Sequence, residues 1–333
     1  MNTWLPWVAR FPRQRVLLIG DLVADHYIYG QTDRVSREAP VLIVRYESAE
    51  VKLGGAANVA ANMRSLGGQV RAIGLLGQDE MGREIRLLCR KAGIQLAAVT
   101  SKSIQTETKT RILAGGMNTT RQQMIRLDRG RRGAPSARWD QALTKVAALH
   151  AARADAVVVS DYGAGSVGPR LRGLLTEVAR SGTPVCVDSR YDLKLFKGMT
   201  ICKPNEPELE ALSGVRIESE ANFLEAMRIS KEMLGCNALL VTRGRNGMAI
   251  CDQRNEVHQI PVHGSQEAVD VTGAGDTVLA ALSLGLAAGC DVLAAAHLAN
   301  AAGSVVVQKQ GTATVSSEEL VEALSQRSSR LCE

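Results

Sequence analysis

Short apolar runs alternate along this chain with longer segments whose apolar residues recur at helical spacing. Runs rich in Val, Leu and Ile predict buried strands at residues 16–20, 70–75, 156–160, 185–188 and 238–242. Helical spacing predicts helices at residues 58–66, 79–92, 168–180, 206–213, 219–234, 273–288 and 291–307. This order is typical of an α/β fold with a mainly parallel central sheet.

Two stretches interrupt the alternation. Residues at about 22–52 and 105–128 are rich in β-prone side chains, among them Tyr27, Thr110 and Ile125. We predict that both stretches form a small extra sheet, inserted into the main domain and covering its edge. The alternative is a pair of long surface loops.

Composition and charge narrow the possible partners. Of the 333 residues, 45% are hydrophobic and 22% are charged, which excludes a disordered or collagenous chain. Aromatic residues make up only 3%, too few for a platform on which nucleic-acid bases stack. The formal net charge of +6 suits small anionic substrates better than a DNA backbone. We therefore expect no nucleic-acid partner.

Cysteine spacing and hydropathy indicate a cytoplasmic protein. The seven cysteines and five histidines show no metal-ligand spacing, and an odd cysteine count without a pattern indicates reduced thiols. No signal-like apolar region follows the first residues. The longest apolar stretch, residues 278–307, is interrupted by Gly289, Asp291, His297 and Asn300 and predicts two buried helices rather than a membrane span.

The segment Asp270-Val-Thr-Gly-Ala-Gly-Asp276 carries the clearest chemistry. Its glycines stand just before a predicted helix, whose first N–H groups and dipole favour an anion such as a phosphate. A carboxylate at Asp276, beside such an anion, is suited to accept a proton from an attacking hydroxyl. The alternative is an ordinary helix cap with turn glycines.

Two weaker features point to hydroxyl recognition. Gly54-Gly55-Ala56-Ala57-Asn58 leads into a helix, and Asp21 and Asp25 follow the first strand. That position is the carboxyl edge of the sheet, where open α/β folds bind ligands. A plain strand-to-helix turn and turn carboxylates are the alternatives.

A competing signal lies at residues 163–168. Gly163, Gly165 and Gly168 have dinucleotide-fingerprint spacing, and Asp188 ends the next strand. Pro169 favours the first helical position, so Gly168 would be a cap outside the helix and could not pack the helix against the strand. The sequence also lacks a P-loop and a Gly-x-Ser-x-Gly elbow.

Together, these motifs resemble the ribokinase-like carbohydrate kinases of the phosphofructokinase-B type, over about residues 14–325. The motifs that carry the likeness are Gly20-Asp21, Gly54 to Asn58, Asn205-Glu206-Pro207-Glu208, Thr242-Arg243-Gly244 and Asp270 to Asp276. Within that family the chain is most similar to the D-glycero-D-manno-heptose 7-phosphate kinases of ADP-heptose and lipopolysaccharide precursor synthesis. The closer likeness lies in residues 36–41, 125–128, 160–163, 296–300 and 311–316.

The resemblance implies a ribokinase-like three-layer fold, one kinase domain over residues 1–333, and a β lid formed by the two insertions. It implies ATP and Mg²⁺, a monovalent cation (K⁺ or Na⁺), a small-molecule sugar or sugar phosphate, and a homodimer formed through the lid. It also implies the site residues. Asp276 would be the base, and the anion hole would consist of Gly273, Ala274 and Gly275. The residues that would bind the sugar are Asp21, Asp25, Gly54, Gly55, Asn58, Lys109, Arg111 and Asp161, and those that would bind the nucleotide are Asn205, Thr242, Gly244, Asn300 and Gly303. Asn205 and Glu208 would bind Mg²⁺ through water, and Asp270 lies in the segment that would hold the monovalent cation.

Departures from the heptose kinase pattern bear on the acceptor. Ala164 and Arg190 stand where that pattern has lysines, and the segment at residues 115–120 is longer than the pattern suggests. Lys109, Arg111, Arg121 and Arg190 are the candidate cations for a sugar phosphate. The basic cluster of Arg126, Arg129, Arg131, Arg132 and Arg138 is interpreted as a solvated face.

Three hypotheses follow. The first is an ATP-dependent kinase that phosphorylates the anomeric oxygen of a heptose 7-phosphate, or of another sugar or sugar phosphate. The second is a nicotinamide-dependent oxidoreductase that uses Gly163 to Gly168, and the third is a non-catalytic sugar-binding protein. Because the printed chain ends at Glu333, we expect any nucleotidyl transfer to need a separate enzyme.

Overall fold

The computed structural model describes residues 4–116, 121–131, 133–264 and 267–330. The strands are β1 (Arg15–Gly20), β2 (Leu22–Val35), β3 (Leu42–Gly55), β4 (Gln69–Ile73), β5 (Leu75–Gly77), β6 (Gln95–Leu96), β7 (Val99–Ser101), β8 (Glu107–Gly115), β9 (Gln122–Arg129), β10 (Ala156–Asp161), β11 (Val185–Ser189), β12 (Ile201–Cys202), β13 (Ala238–Thr242), β14 (Met248–Cys251) and β15 (Val257–Ile260). The helices are α1 (Leu5–Val8), α2 (Ala56–Ser65), α3 (Glu80–Lys91), α4 (Ala137–Ala151), α5 (Pro169–Arg180), α6 (Glu206–Ser213), α7 (Glu220–Leu234), α8 (Ala274–Ala287), α9 (Val292–Val306) and α10 (Ser317–Arg330).

The central sheet has the order β15-β14-β13-β12-β11-β10-β1-β4-β6. Neighbours from β13 to β6 are parallel, and β14 and β15 pair antiparallel at the other edge. The predicted, mainly parallel sheet is confirmed. Its parallel strands bring their carboxyl ends to one edge, which is where the polar motifs follow them.

Helices cover both faces of this sheet and give three layers. Along β1, Val16 and Leu18 face a core shared with α2, α8 and α9, whereas Leu17 and Ile19 face a core shared with α4, α5 and α7. Each fully buried Val, Leu or Ile side chain contributes about 1.5–3 kcal/mol to this packing. Because the chain has few aromatic residues, its helices pack closely through small residues. At Gly303 of α9, for example, an added Cβ would lie only 3.0 Å from Val278 Cγ2 of α8.

A second, four-stranded sheet, here called the lid sheet, has the order β3-β2-β8-β9. It is built from the two β-prone stretches, so the alternative of long surface loops is wrong. The two inner strands, β2 and β8, pair parallel, with Asp25 opposite Lys109. At the two edges, β3 pairs antiparallel with β2, and β9 pairs antiparallel with β8. All residues of β9 are exposed. Part of the long segment at residues 115–120, together with Arg132, lies outside the described residues.

The predicted elements agree with the observed ones within a few residues, with one exception. The apolar run 70–75 is not one strand. Gly74 separates β4 from β5, and β5 leaves the central sheet to pair with β7. A Cβ at Gly74 would lie 2.4 Å from the Gly20 carbonyl oxygen, so only glycine allows the two backbones to approach this closely. Within the described ranges, none of the helices is both long and apolar enough to cross a bilayer.

Candidate active site

The carboxyl ends of β10, β11, β12 and β13 open into a cavity of about 1040 Å³. Predicted site residues and newly found ones line it together. They include Asp161, Tyr162, Asp188, Arg190, Lys203, Asn205, Glu208, Thr242, Thr272 and Gly275. A second cavity of about 760 Å³ lies against the lid sheet and shares Thr272 with the first, so both open near the start of α8.

The N-terminus of α8 presents free amides to the first cavity. Gly273 caps the helix in the left-handed conformation with φ 80°, and a Cβ there would lie 2.8 Å from Asn58 Nδ2. In the described part of the chain, the amides of Gly275 and Asp276 have no hydrogen-bond acceptor. The amide of Ala274 differs from the prediction, because it donates to the Val271 carbonyl at 3.2 Å. The amides left free to bind an anion are therefore those of Gly275 and Asp276.

Asp276 is held at both carboxylate oxygens. Asn58 Nδ2 donates to Oδ2 at 2.7 Å, and the Tyr162 hydroxyl donates to Oδ1 at 2.9 Å. Burial raises the pKa of Asp276 to about 6, although these two donors and Lys203 act to lower it. A carboxyl with that pKa is poised to accept a proton near neutral pH.

Asn58 takes a different place from the one expected. Its amide nitrogen is bound to Asp276, and its amide oxygen accepts a hydrogen bond from Asn62 at 3.2 Å. The side chain is only 2% exposed. The residue expected on the sugar therefore orients the candidate base.

Lys203 is a functional candidate that sequence reasoning missed. Its side chain is 4% exposed, and Nζ pairs with Asp188 Oδ2 at 2.7 Å. Burial opposes the charged form, but Asp188, Glu208 and Asp276 together outweigh it and raise the pKa of Lys203. Nζ lies 3.7 Å from where a Gly275 Cβ would stand, so a positive charge faces the free amides of α8. Lys203 follows β12, a two-residue strand that the sequence analysis did not predict, so its place at the edge of the sheet left no local signal.

Asn205 and Glu208 form a capping box at the start of α6. Asn205 Oδ1 accepts from the Glu208 amide at 2.8 Å, and Glu208 Oε2 accepts from the Asn205 amide at 2.9 Å. In this described segment, Asn205 Nδ2 and Glu208 Oε1 have no protein partner and face the cavity. Glu208 Oε1 is the kind of oxygen that Mg²⁺, which keeps several waters, takes as a ligand, whereas Asn205 Nδ2 can only donate, to a phosphate oxygen or to a metal-bound water. Asp188 adds a further carboxylate at the same wall.

Asp21 departs from its predicted role. Its Oδ2 accepts the amides of Tyr162 and Ala164 at 2.8 and 3.0 Å, and its Oδ1 accepts the Ser166 amide at 2.9 Å. The residue is only 2% exposed, so its carboxylate holds the loop after β10 in place. Two of these amides, those of Ala164 and Ser166, belong to the 163–168 loop and are no longer available to a dinucleotide, which argues against the oxidoreductase hypothesis.

Asp25 of β2 and Arg111 of β8 form an ion pair on the lid sheet. Arg111 Nη1 lies 2.6 Å from Asp25 Oδ1, and Thr312 Oγ1 donates to Asp25 Oδ2 at 3.3 Å. A Cβ at Gly54 would lie 2.5 Å from that Oδ2, so Gly54 makes room for the carboxylate. Gly55, at φ 54°, caps α2 beside the Asp21 carbonyl.

Two further residues predicted on the sugar lie near the same place. Asp161 Oδ1 accepts the Gly163 amide at 3.0 Å and Oδ2 accepts the Ser189 hydroxyl at 2.7 Å. Burial, followed by the charge of Asp21, raises the pKa of Asp161 to about 6. The ammonium of Lys109 lies 4.7 Å from the centroid of the Tyr162 ring.

The residues predicted on the nucleotide are spread more widely. Thr242 lines the cavity and bridges to Asn205 across the sheet. Gly244 is exposed and begins a short 3-10 turn, Gly244–Asn246. Asn300 Nδ2 donates to the Pro261 carbonyl at 2.7 Å, and Gly303 is buried against α8. The contacts of Asn300 and Gly303 with adenine stay a prediction.

Asp270 holds together the segment that was predicted to bind a monovalent cation. Its Oδ1 accepts the Thr272 amide and its Oδ2 accepts the Gly311 amide, both at 2.8 Å. These bonds lower the pKa of Asp270, against the effect of burial. In the described chain, one group of three potential metal-binding side chains lies elsewhere, on the β14–β15 hairpin: Asp252, Glu256 and His258.

The family model described as "pfkB family carbohydrate kinase" matches residues 13–320. The chain belongs to the pfkB family of carbohydrate kinases. It is therefore a phosphotransferase with an alcohol group as acceptor, and its family uses ATP. The hypothesis of a non-catalytic protein gains no support, because Asp276 lies beside free amides.

Curated relatives carry the name bifunctional protein HldE. The chain is 38% identical to the one from Trichlorobacter lovleyi over 93% of its own length, and 40% identical to the one from Halorhodospira halophila over 96%. It spans 63% and 65% of those two proteins.

Solved structures show the fold. Phosphofructokinase-2 from Escherichia coli in complex with potassium superimposes with a TM-score of 0.75 at 19% identity, covering 95% of this chain and 99% of that one. Arabidopsis thaliana ribokinase complexed with ribose and ATP gives 0.72 at 21% identity, covering 93% and 98%. The predicted ribokinase-like fold is confirmed.

Proposed function

We propose that this carbohydrate kinase transfers the γ-phosphoryl group of ATP to the anomeric oxygen of D-glycero-D-manno-heptose 7-phosphate, giving the 1,7-bisphosphate. The observation that carries the proposal is the buried Asp276 carboxylate beside the free amides of Gly275 and Asp276. The motif resemblance and the identity to HldE proteins support the heptose acceptor.

Asp276 acts as the general base. Its carboxylate accepts the proton of the anomeric hydroxyl, which is more acidic than an ordinary alcohol. The hydroxyl oxygen then forms a bond to the γ-phosphorus, while the bond from that phosphorus to the β–γ bridging oxygen breaks and ADP leaves. The amides of Gly275 and Asp276, the α8 dipole and Lys203 stabilise the negative charge on the transferred group.

The residues around the cavity supply the remaining parts. Asn205, Glu208 and Asp188 are the side chains that would hold Mg²⁺, which neutralises phosphate charge when bound. Asp25 accepts hydrogen bonds from sugar hydroxyls, and Lys109 and Arg111 are the cations nearest to them for the acceptor phosphate. An enzyme that consumes ATP works where ATP is supplied, so we propose the cytoplasm.

We further propose that two copies pair through the lid sheet. Leu42, Ile125 and Leu127 are 50%, 56% and 56% exposed on this sheet. Large exposed apolar side chains beside an unpaired edge strand are typical of an association surface. Light scattering should give a dimer mass for the wild type and a monomer mass for the I125D/L127D variant.

A coupled ADP-release screen tests the acceptor. The panel contains free sugars, sugar phosphates and heptose 7-phosphate isomers, at equal concentrations. We expect the highest kcat/KM for D-glycero-D-manno-heptose 7-phosphate and a new anomeric phosphate by ³¹P NMR. A higher kcat/KM for another sugar would identify that sugar as the acceptor in place of the heptose 7-phosphate. No transfer to any sugar would overturn the proposed function.

A further inference from the structure

Tyr162 makes three separate contacts at the candidate site. Its amide donates to Asp21 Oδ2 at 2.8 Å, its hydroxyl donates to Asp276 Oδ1 at 2.9 Å, and its ring lies 4.7 Å from Lys109 Nζ. Burial, together with Asp276 and Asp188, raises the pKa of Tyr162 well above its usual value. The hydroxyl therefore stays protonated and remains a donor.

We infer that Tyr162 is a positioning residue with two roles: its hydroxyl orients the base Asp276, and its ring seats Lys109 to receive an anionic group of the acceptor. The inference about the acceptor's anionic group rests on the proposed function. The orientation of the base does not depend on which sugar is phosphorylated.

The first role follows from the two ends of the Asp276 carboxylate. Tyr162 binds Oδ1 and Asn58 binds Oδ2, so the carboxylate plane is fixed from two different elements. The charged groups that also act on Asp276 are Asp188, from β11, and Lys203, from the segment after β12. Because the hydroxyl favours the ionised form, its removal should raise the pH at which Asp276 loses its proton.

The second role follows from the position of Lys109. Arg111, two residues along β8, is paired with Asp25, and alternate residues of a strand share one face. In the described structure, Lys109 has no ion pair or hydrogen bond, and burial lowers the pKa of its ammonium. Asp25 and Asp128 favour the ammonium from a distance, and Arg111 and Arg190 oppose it, but in the described structure no carboxylate pairs with it, so the Tyr162 ring face compensates its burial only in part. An acceptor phosphate would supply the missing charge.

Three variants separate the two roles. Y162F keeps the ring and removes the hydroxyl, Y162L removes both, and K109M removes the ammonium. The measurements are kcat and KM for heptose 7-phosphate across pH 5–9, with unphosphorylated heptose as the comparison acceptor. If the screen identifies another sugar phosphate, that compound and its unphosphorylated form are used.

For Y162F we expect kcat to fall about tenfold or more, the acid limb of kcat to move up by about half to one pH unit, and the acceptor KM to stay within about twofold. For Y162L and K109M we expect the KM for the phosphorylated acceptor to rise about tenfold or more, with little change in KM for free heptose. Tyr46, 65% exposed on β3, provides the control Y46F, which should match the wild type.

An unshifted acid limb in Y162F overturns the first role. Equal KM values for Y162F and Y162L overturn the second, and circular dichroism establishes that both variants are folded. Failure of the proposed function is distinguishable, because the wild type itself would then transfer phosphate to no sugar.

Discussion

Asn58 and Asp276 are 218 positions apart in the chain, yet Asn58 Nδ2 donates to Asp276 Oδ2 across 2.7 Å. The bond joins the first turn of α2 to the first turn of α8, and Gly273 leaves the space for it. The two glycine-containing motifs of the sequence therefore form one site, in which the first motif orients the carboxylate that the second provides.

Replacing the candidate base should stop phosphoryl transfer. We expect D276N to lower kcat about 10²–10⁴-fold while ATP still binds, because the amides of α8 remain. Steady-state kinetics and titration calorimetry with ATP measure the two effects. D291N, at the exposed cap of α9, is the matched control. Near-normal turnover in D276N would refute the role of Asp276.

The pH dependence of turnover should report the same carboxyl. Burial raises the pKa of Asp276 from 3.8 to about 6, and only the ionised form accepts a proton. We therefore expect kcat to fall as the pH is lowered through about 6, tenfold per pH unit below it. A profile that stays flat down to pH 4.5, with the protein folded, would contradict this assignment.

Removing the buried cation should weaken stabilisation of the transferred group. We expect K203M to lower kcat about 10²–10³-fold, because Lys203 faces the amides of Gly275 and Asp276. Asp188 then loses its partner, so thermal unfolding is measured in parallel. The exposed Lys91 of α3 supplies the control K91M. If K203M keeps wild-type kcat, Lys203 has only a structural role.

Asp21 should matter for stability through the loop after β10. D21N turns amide hydrogens toward backbone N–H groups that now donate to a carboxylate, so we expect a loss of about 2–4 kcal/mol in the free energy of unfolding. Urea denaturation measures it. The control D33N disturbs only an exposed pair with Arg45 and should cost less than about 0.5 kcal/mol. Equal values for the two variants would show that the loop does not depend on Asp21.

Gly54 should be needed for acceptor binding. A Cβ there would approach Asp25 Oδ2 to 2.5 Å, so G54A should displace the carboxylate and raise the acceptor KM about tenfold or more. Gly173 of α5 has open space around an added Cβ, and G173A should be neutral or gain about 0.5–1 kcal/mol of stability. An unchanged KM in G54A would mean that Asp25 does not bind the acceptor.

The alternation of apolar runs and helical spacing predicted the central strands β1, β10, β11 and β13, because burial on both faces of a parallel sheet leaves a continuous Val-rich signal. It also predicted α2, α3 and α5 to α9, but not α4, α10 or the short strands β12, β14 and β15. Gly74 was not identified as a break, since nothing in the local pattern shows that β5 pairs with β7. The lid sheet was predictable from β-prone residues, but the parallel pairing of β2 with β8 depends on a register between segments about 80 residues apart.

The sequence by itself determined the fold class, and it singled out the α8 N-terminus as a candidate anion site and Asp276 as the candidate base, because each of these follows from local spacing. The tertiary structure alone decided which side chains face one another. It assigned Asp21 to backbone amides and Asn58 to Asp276, and it brought Lys203 and Tyr162 to the same cavity. A hydrogen bond or an ion pair depends on distance in space, and residues from distant strands acquire that distance only when the sheet has formed.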